Sequence, residues 1–392
     1  MQSDDILYWL GANFKVMFSF IGGIQGIILA IVVLFYPREN KISNRLLSLF
    51  IFSHAHLLII NRVAEWLGHR YDWLLFSIQL LGIISLYLYI QSLHQKINWK
   101  KQWWHIPVIL IDTIRIYFLT EIRNSGAGDK FFHSFFGTSF EYFSLFFIIS
   151  IYGLYLALSL KELRIYRDKA EGNYSDMNQL GIHWVKNMIF GKYGLIVFDL
   201  ILLMISFNFT DWYMPYHGII NTLLYTLFMY YITIKGKLNP QIYQLRKIES
   251  QKQERESLEF GGNEDKFFSE ELQEIAKNFV DVMETKRLYK VEGLSVKDVA
   301  ETMGVQAYLV SQAINNCLGK SFFDLVNGYR VEEAKKLLMD EGLNHLSMIG
   351  IGFEAGFNSK TAFNIAFKKH AGMTPSEFKR SQSVSNIRIH EP

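Results

Sequence analysis

The chain has 392 residues, of which 50% are hydrophobic and 16% aromatic, and its formal net charge is only +3. So large an apolar share exceeds the needs of one soluble domain and implies at least two domains, while the near-neutral charge excludes a globally basic nucleic-acid binder and leaves only local basic surfaces. Cys317, the single cysteine, excludes an intramolecular disulfide and a cysteine-cluster metal site.

The first residues carry Asp4 and Asp5 where a signal peptide would be basic, so the first apolar run is expected to be a retained span. A helix crosses the hydrocarbon with roughly 20 mostly apolar residues, because every backbone amide must bond internally there. Seven stretches meet that need, at about 14–36, 46–61, 73–93, 103–120, 136–160, 189–207 and 215–234. Lys and Arg gather after the first, third and fifth (Arg38, Lys41, Arg45; Lys96, Lys100, Lys101; Lys161, Arg164, Arg167, Lys169, Lys186), and Lys235 and Lys237 follow the last. Positive loops face the cytoplasm, so the pattern predicts a multi-pass inner-membrane domain over 1–237 with its N-terminus outside and its C-terminal side inside.

Trp99, Trp103 and Trp104 are expected at one interface, and Trp66, Trp73, Trp212 and Tyr213 at the other. Gly22, Gly23, Gly26 and Ala30 form a smooth helix face suited to close packing inside the bundle, or to a homodimer. Ionisable side chains within spans are costly, which makes His54, His56, Asp112, Arg115, Glu141 and Asp199 candidate sensor groups for a small ligand, a peptide or a proton, with bundle glue as the equal alternative. Asp112 and Arg115, three residues apart, should pair; Lys192 should snorkel from its span's end. Residues His54 and His56 lie on different helix faces, so no metal is expected, and no catalytic motif occurs in this half. Neither an enzyme activity nor a cofactor is expected.

Residues 238–268 read as a polar linker, with a mainly polar helix over Ile242 to Glu259 between Asn239-Pro240 and Gly261-Gly262. Ser269 is placed to cap a helix that buries Leu272, Ile275, Phe279, Val282 and Met283. Ser295-Val296-x-x-Val299-Ala300-x-x-x-Gly304-Val305 then has helix-turn-helix grammar, with a small residue at the crossing and glycine at the turn. It is echoed by Ser347, Met348, Ile351, Gly352, Gly356 and Phe357, and between the copies Phe322 to Leu338 reads as one spacer helix.

Several further motifs stand in a fixed order: Gly319-Lys320-Ser321-Phe322, Tyr329-Arg330-x-x-x-Ala334-x-x-Leu337-Leu338, Gly356-Phe357-Asn358-Ser359, Phe363-x-x-x-Phe367-Lys368-Lys369 and Gly372-Met373-Thr374-Pro375. On these residues the segment 269–381 resembles the AraC/XylS-type DNA-binding domain, here fused to a multi-span region as in a membrane-anchored subset of that family. The resemblance implies recognition helices at about Gln306–Cys317 and Ser359–His370, each entering a major groove of double-stranded DNA. Contacts would come from Gln306, Tyr308, Ser311, Gln312, Asn315 and Asn316 in the first unit. The second would offer Asn358, Ser359, Lys360, Thr361, Asn364, Lys368 and Lys369. This chain departs from the family's pattern at Gln312, Asn315-Asn316 and Ile365, where basic residues are common, so base reading would rest on amides and backbone grip on the second unit. Cys317 is expected to act as a small hydrophobe, and residues 382–392 as a disordered tail.

The expected architecture is therefore all-α: a seven-helix transmembrane bundle plus two helix-turn-helix units joined by a linker helix. The expected function is one-component transcription regulation from the membrane, with lipid, duplex DNA and a small-molecule or peptide signal as partners. A transporter or channel with a cytoplasmic regulatory domain is the competing reading.

Overall fold

The computed structural model describes residues 3–36, 41–66, 77–124, 138–176, 181–206, 210–238 and 264–389. The described residues are helical throughout their ordered elements, with no strand among them; one isolated antiparallel bridge joins Tyr174 and Ser295. The chain forms two compact units, Met1–Tyr166 with His183–Tyr243, and Arg167–Ile182 with Gln244–Pro392. Residues 167–182, expected within the first domain, thus group with the C-terminal unit.

In the first unit, α1 (Ser3–Phe35), α2 (Lys41–Trp66), α3 (Ile78–His94), α4 (His105–Asn124), α5 (Thr138–Glu171), α6 (Ile182–Ser206) and α7 (Thr210–Leu238) follow the seven apolar stretches in order. Among the described residues, Lys41–Ile60 and Tyr142–Glu171 are the segments long and apolar enough to cross a membrane, and Ser19–Phe35 and Ile78–His94 are shorter apolar helices. The glycine face of α1 is used inside the bundle: a Cβ at Gly23 would lie 2.2 Å from the Ile59 side chain, and one at Gly26 2.6 Å from Ala55 Cβ. Helix α2 can approach α1 that closely only because those side chains are absent.

Several polar groups of this unit pair with one another, whereas His54 Nε2 and His56 Nδ1 are buried without a hydrogen-bond partner. Arg115 donates to Asp112 at 2.6 Å and also to Ser144 on α5, while the Asp199 carboxylate accepts from Asn221 and Tyr225 on α7, at 2.6 Å each. His54 is buried and its Nδ1 donates to Phe50 O at 2.8 Å; His56 is half-buried; the Glu141 side chain lies outside what is described. Lys192 does not snorkel. It is buried, with its ammonium 5.7 Å from the Tyr225 ring centroid, because its position on α6 faces an aromatic of α7 that can hold a cation. A buried pair not anticipated from sequence, His94 with Glu162 at 2.7 Å, ties α3 to α5. Trp99 and Trp103 are exposed, whereas Trp104 stacks on Tyr155; Trp73 and the side chains of Trp66, Trp212 and Tyr213 lie outside the described residues.

The second unit contains α8 (Glu264–Lys286), α9 (Val296–Met303), α10 (Ala307–Cys317), α11 (Phe322–Met339), α12 (Met348–Glu354), α13 (Lys360–Ala371) and α14 (Pro375–Ile389). Its two cores share α11. Phe322 and Val326 pack with Phe279, Met283, Val299 and Ile314, and one turn further Val331, Ala334 and Leu338 pack with Ile351, Phe363 and Phe367. Burying each such large side chain stabilises by about 1.5–3 kcal/mol. Helix α8 is described from Glu264, so Ser269, expected to cap it, lies within the helix. Most of the predicted linker, including 242–259, lies outside the described residues. Helix α14 runs to Ile389, into the segment expected to be a disordered tail.

Candidate nucleic-acid interface

Two helix-turn-helix units are built from the same local chemistry. In the first, Ser295 and Asp298 form a capping box: Ser295 Oγ accepts from Asp298 N, and the Asp298 carboxylate accepts from Ser295 N at 2.8 Å. Gly304 ends α9 in the left-handed region (φ 70°), and Ala300 is buried where α10 crosses. In the second, Ser347 caps α12 by accepting from Gly350 N at 3.1 Å, and Ser359 caps α13 by accepting from Ala362 N at 3.1 Å. Gly352 takes the place of Ala300; a Cβ there would fall 2.8 Å from the Phe363 ring.

These units present the residues that sequence reasoning singled out in different ways. Gln306, Asn315, Asn316, Lys360, Thr361, Asn364, Lys368 and Lys369 are exposed, and Ser311, Gln312, Asn358 and Ser359 are half-buried. Tyr308 is a correction: it is 2% exposed and belongs to the first core with Leu309 and Val310, so its ring supports α10 from behind and is not offered to a groove. Cys317, expected to act as a small hydrophobe, is exposed. Lys369 pairs with Asp324 on α11, and Lys379 donates to Asn344 at 3.0 Å, which leaves Lys360, Lys368 and Arg380 as further exposed cations of the second unit.

Sequence reasoning placed Arg330 in a motif but gave it no role in joining the two helix-turn-helix units. Arg330, on α11, is 2% exposed and donates to Tyr289 O at 2.7 Å, Val291 O at 2.9 Å, and Asn327 Oδ1 and Ser175 Oγ at 3.3 Å each. Its guanidinium also lies 5.7 Å from the Phe357 ring centroid. Burial pulls its pKa down to about 10, partly offset by the carboxylates of Asp176 and Glu292, so it stays charged at neutral pH. Beside it, Lys290 pairs with Glu333 at 2.6 Å, fixing the 288–290 turn to α11. The available signal was a charge between Val326 and Ala334 on the apolar stripe of α11.

A second unanticipated feature is the segment 172–176, which lies on both units. Ser175 N donates to Leu294 O at 3.1 Å and Val296 N donates to Asn173 O at 2.9 Å, one rung of antiparallel pairing. Ser311 Oγ donates to Gly172 O at 3.2 Å, Asn327 Nδ2 to Ser175 O at 3.4 Å, and Asn358 Nδ2 to the Asp176 carboxylate. Asn173, Tyr174, Ser175 and Asp176 are all buried.

Comparison with known proteins agrees with this geometry. Two curated relatives align with part of the chain. One is an uncharacterized HTH-type transcriptional regulator in the cgkA 5′ region of Pseudoalteromonas carrageenovora, 32% identical over 94 residues, covering 23% of this chain and 51% of that protein. The other is the "Probable transcription factor PqrA" of Proteus vulgaris, 25% identical over 110 residues, covering 28% of this chain and 87% of that protein. The chain thus spans about half the length of the first relative. No solved structure matches. Residues 299–381 match the family described as a helix-turn-helix domain, so the C-terminal unit carries a domain of that kind.

Proposed function

We propose that this protein is a transcription regulator that reads duplex DNA with α10 and α13 and is held in the inner membrane by α1–α7, its C-terminal unit in the cytoplasm. The observation that carries the DNA reading is the pair of capped helix-turn-helix units spaced by α11, matched by regulators of the same kind. Membrane embedding is supported by the apolar side chains left exposed along the first unit, among them Ile24, Ile28 and Ile31 on α1, Ile106, Leu110 and Ile114 on α4, Phe143, Phe146 and Ile149 on α5, and Leu223, Leu227 and Ile234 on α7. A water-soluble surface rarely exposes such continuous apolar area. The alternating charge of the loops supports the orientation, and the bundle is the proposed sensor of a small-molecule or peptide signal.

Base preference is assigned to Gln312, Asn315, Asn316 and Asn364, and phosphate grip to Lys360 and Lys368. Replacing Gln312 and Asn316 by alanine is expected to flatten sequence preference in a randomised-duplex selection, whereas Lys368→Ala should weaken binding to all sequences alike and reduce the slope of log affinity against log salt by about 1. A selection that recovers no preferred site with the full chain in nanodiscs would count against the reading. A reporter fused after residue 389 that is active only outside the cytoplasm would overturn the topology.

A further inference from the structure

Segment 172–176 connects α5 to α6 through residues 177–180, yet it is packed on the C-terminal unit more tightly than a surface loop usually is. What it offers there is a row of hydrogen-bond acceptors: Gly172 O to Ser311, Ser175 O to Asn327, Ser175 Oγ to Arg330, and the Asp176 carboxylate to Asn358. Phosphate oxygens and the acceptor edges of bases offer the same chemistry to the same kinds of donor. Two of these donors, Ser311 on α10 and Asn358 at the start of the second recognition segment, are positions assigned to DNA. A Cβ on Gly172 would also lie 4.0 Å from the Asn315 amide and from Ser311 Oγ. Acidic side chains continue upstream at Asp168 and Glu171, the latter within electrostatic reach of Lys369.

Resting on the DNA-binding reading above, we propose that residues 172–176 are an intramolecular occupant of the DNA-reading surface, so that this segment and duplex DNA bind in alternation. The segment spans both helix-turn-helix units and is covalently continuous with α5 of the bundle. A signal that shifts α5 relative to α6 therefore has a direct way to lift it, exposing donors on both units at once. Ligand-driven release of this kind needs differential affinity of the signal for the two states, and the chain connection supplies the route.

The test uses the full chain in nanodiscs and a fluorescent duplex carrying the best site recovered from a randomised selection. In a Cys317→Ser background, Tyr174→Cys with Ser295→Cys places a disulfide across the antiparallel bridge, where directly opposed residues of a non-hydrogen-bonded pair are close enough to link. The oxidised protein should bind at least tenfold more weakly than the same sample after reduction. In a second variant, residues 172–176 are exchanged for a Gly-Ser segment of equal length, and this should bind at least tenfold more tightly than the parent chain. Hydrogen exchange at 173–176 should also accelerate in the parent when duplex is added. Equal affinity of oxidised and reduced samples, together with unchanged affinity of the Gly-Ser variant, would overturn the proposal while leaving the DNA-binding reading intact. Failure of every form, including the Gly-Ser variant, to bind any duplex would instead overturn the DNA-binding reading and this proposal with it.

Discussion

Arg330→Met is expected to destabilise the C-terminal unit by on the order of 3–5 kcal/mol, the range for removing one partner of a buried, hydrogen-bonded charge. Methionine fills much of the same volume, so the loss is electrostatic in origin. The carbonyls of Tyr289 and Val291 lose their donor, Asp176 loses a buried counter-charge, and each unsatisfied buried acceptor costs about 1–3 kcal/mol. Arg330→Lys keeps the charge but not the planar fork that serves several acceptors, and should fall between the two. In the full chain, hydrogen exchange of the most protected amides near Phe279 and Phe367 should rise at least a hundredfold for the methionine variant, since each 1.4 kcal/mol is about a factor of ten. Unchanged protection would show that Arg330 is peripheral to stability. Because Arg330 contacts the 288–291 turn, α11, Ser175 and the Phe357 ring, exchange should quicken in both cores and not in one alone.

Gly356→Ala comes next in size. Gly356 adopts φ 96°, a region costly for any residue with a side chain, and a Cβ there would fall 2.5 Å from Tyr289 O and 2.8 Å from Lys290 Cα. Those atoms are backbone, held by the Lys290–Glu333 pair, and cannot swing aside. Strain and collision together are expected to cost about 3 kcal/mol. Gly304 is the internal control: its φ is 70°, but a Cβ there would meet open space, so Gly304→Ala should cost only about 1 kcal/mol. Thermal unfolding of the two variants side by side would separate the effects, and similar midpoints would refute the collision argument. Gly356→Ala should also alter the placing of α13 relative to α10, weakening DNA binding beyond the loss of stability.

The contrast between these two glycines shows how far sequence reading reaches. Their equivalence in the two copies is visible from spacing alone, as are the caps at Ser295, Ser347 and Ser359. What lies opposite each glycine is not, because the Tyr289–Lys290 turn is distant in sequence from Gly356. Tyr308 makes the same point at a recognition helix. A polar aromatic there suggests a contact with DNA, yet its ring completes the first core, a choice made by the neighbours that surround it.

Helical periodicity, caps and turn glycines are short-range properties, and from them the residues alone determined an all-helical chain, the order of its apolar helices, the two helix-turn-helix units and the helix that spaces them. Lys192, Arg330 and segment 172–176 were decided only in three dimensions. A charge is tolerated in the interior wherever distant groups meet it, as Tyr225 meets Lys192 and four acceptors meet Arg330. The connecting segment likewise found its partners at Leu294, Ser311 and Asn358, more than a hundred residues away, a pairing that no local pattern encodes.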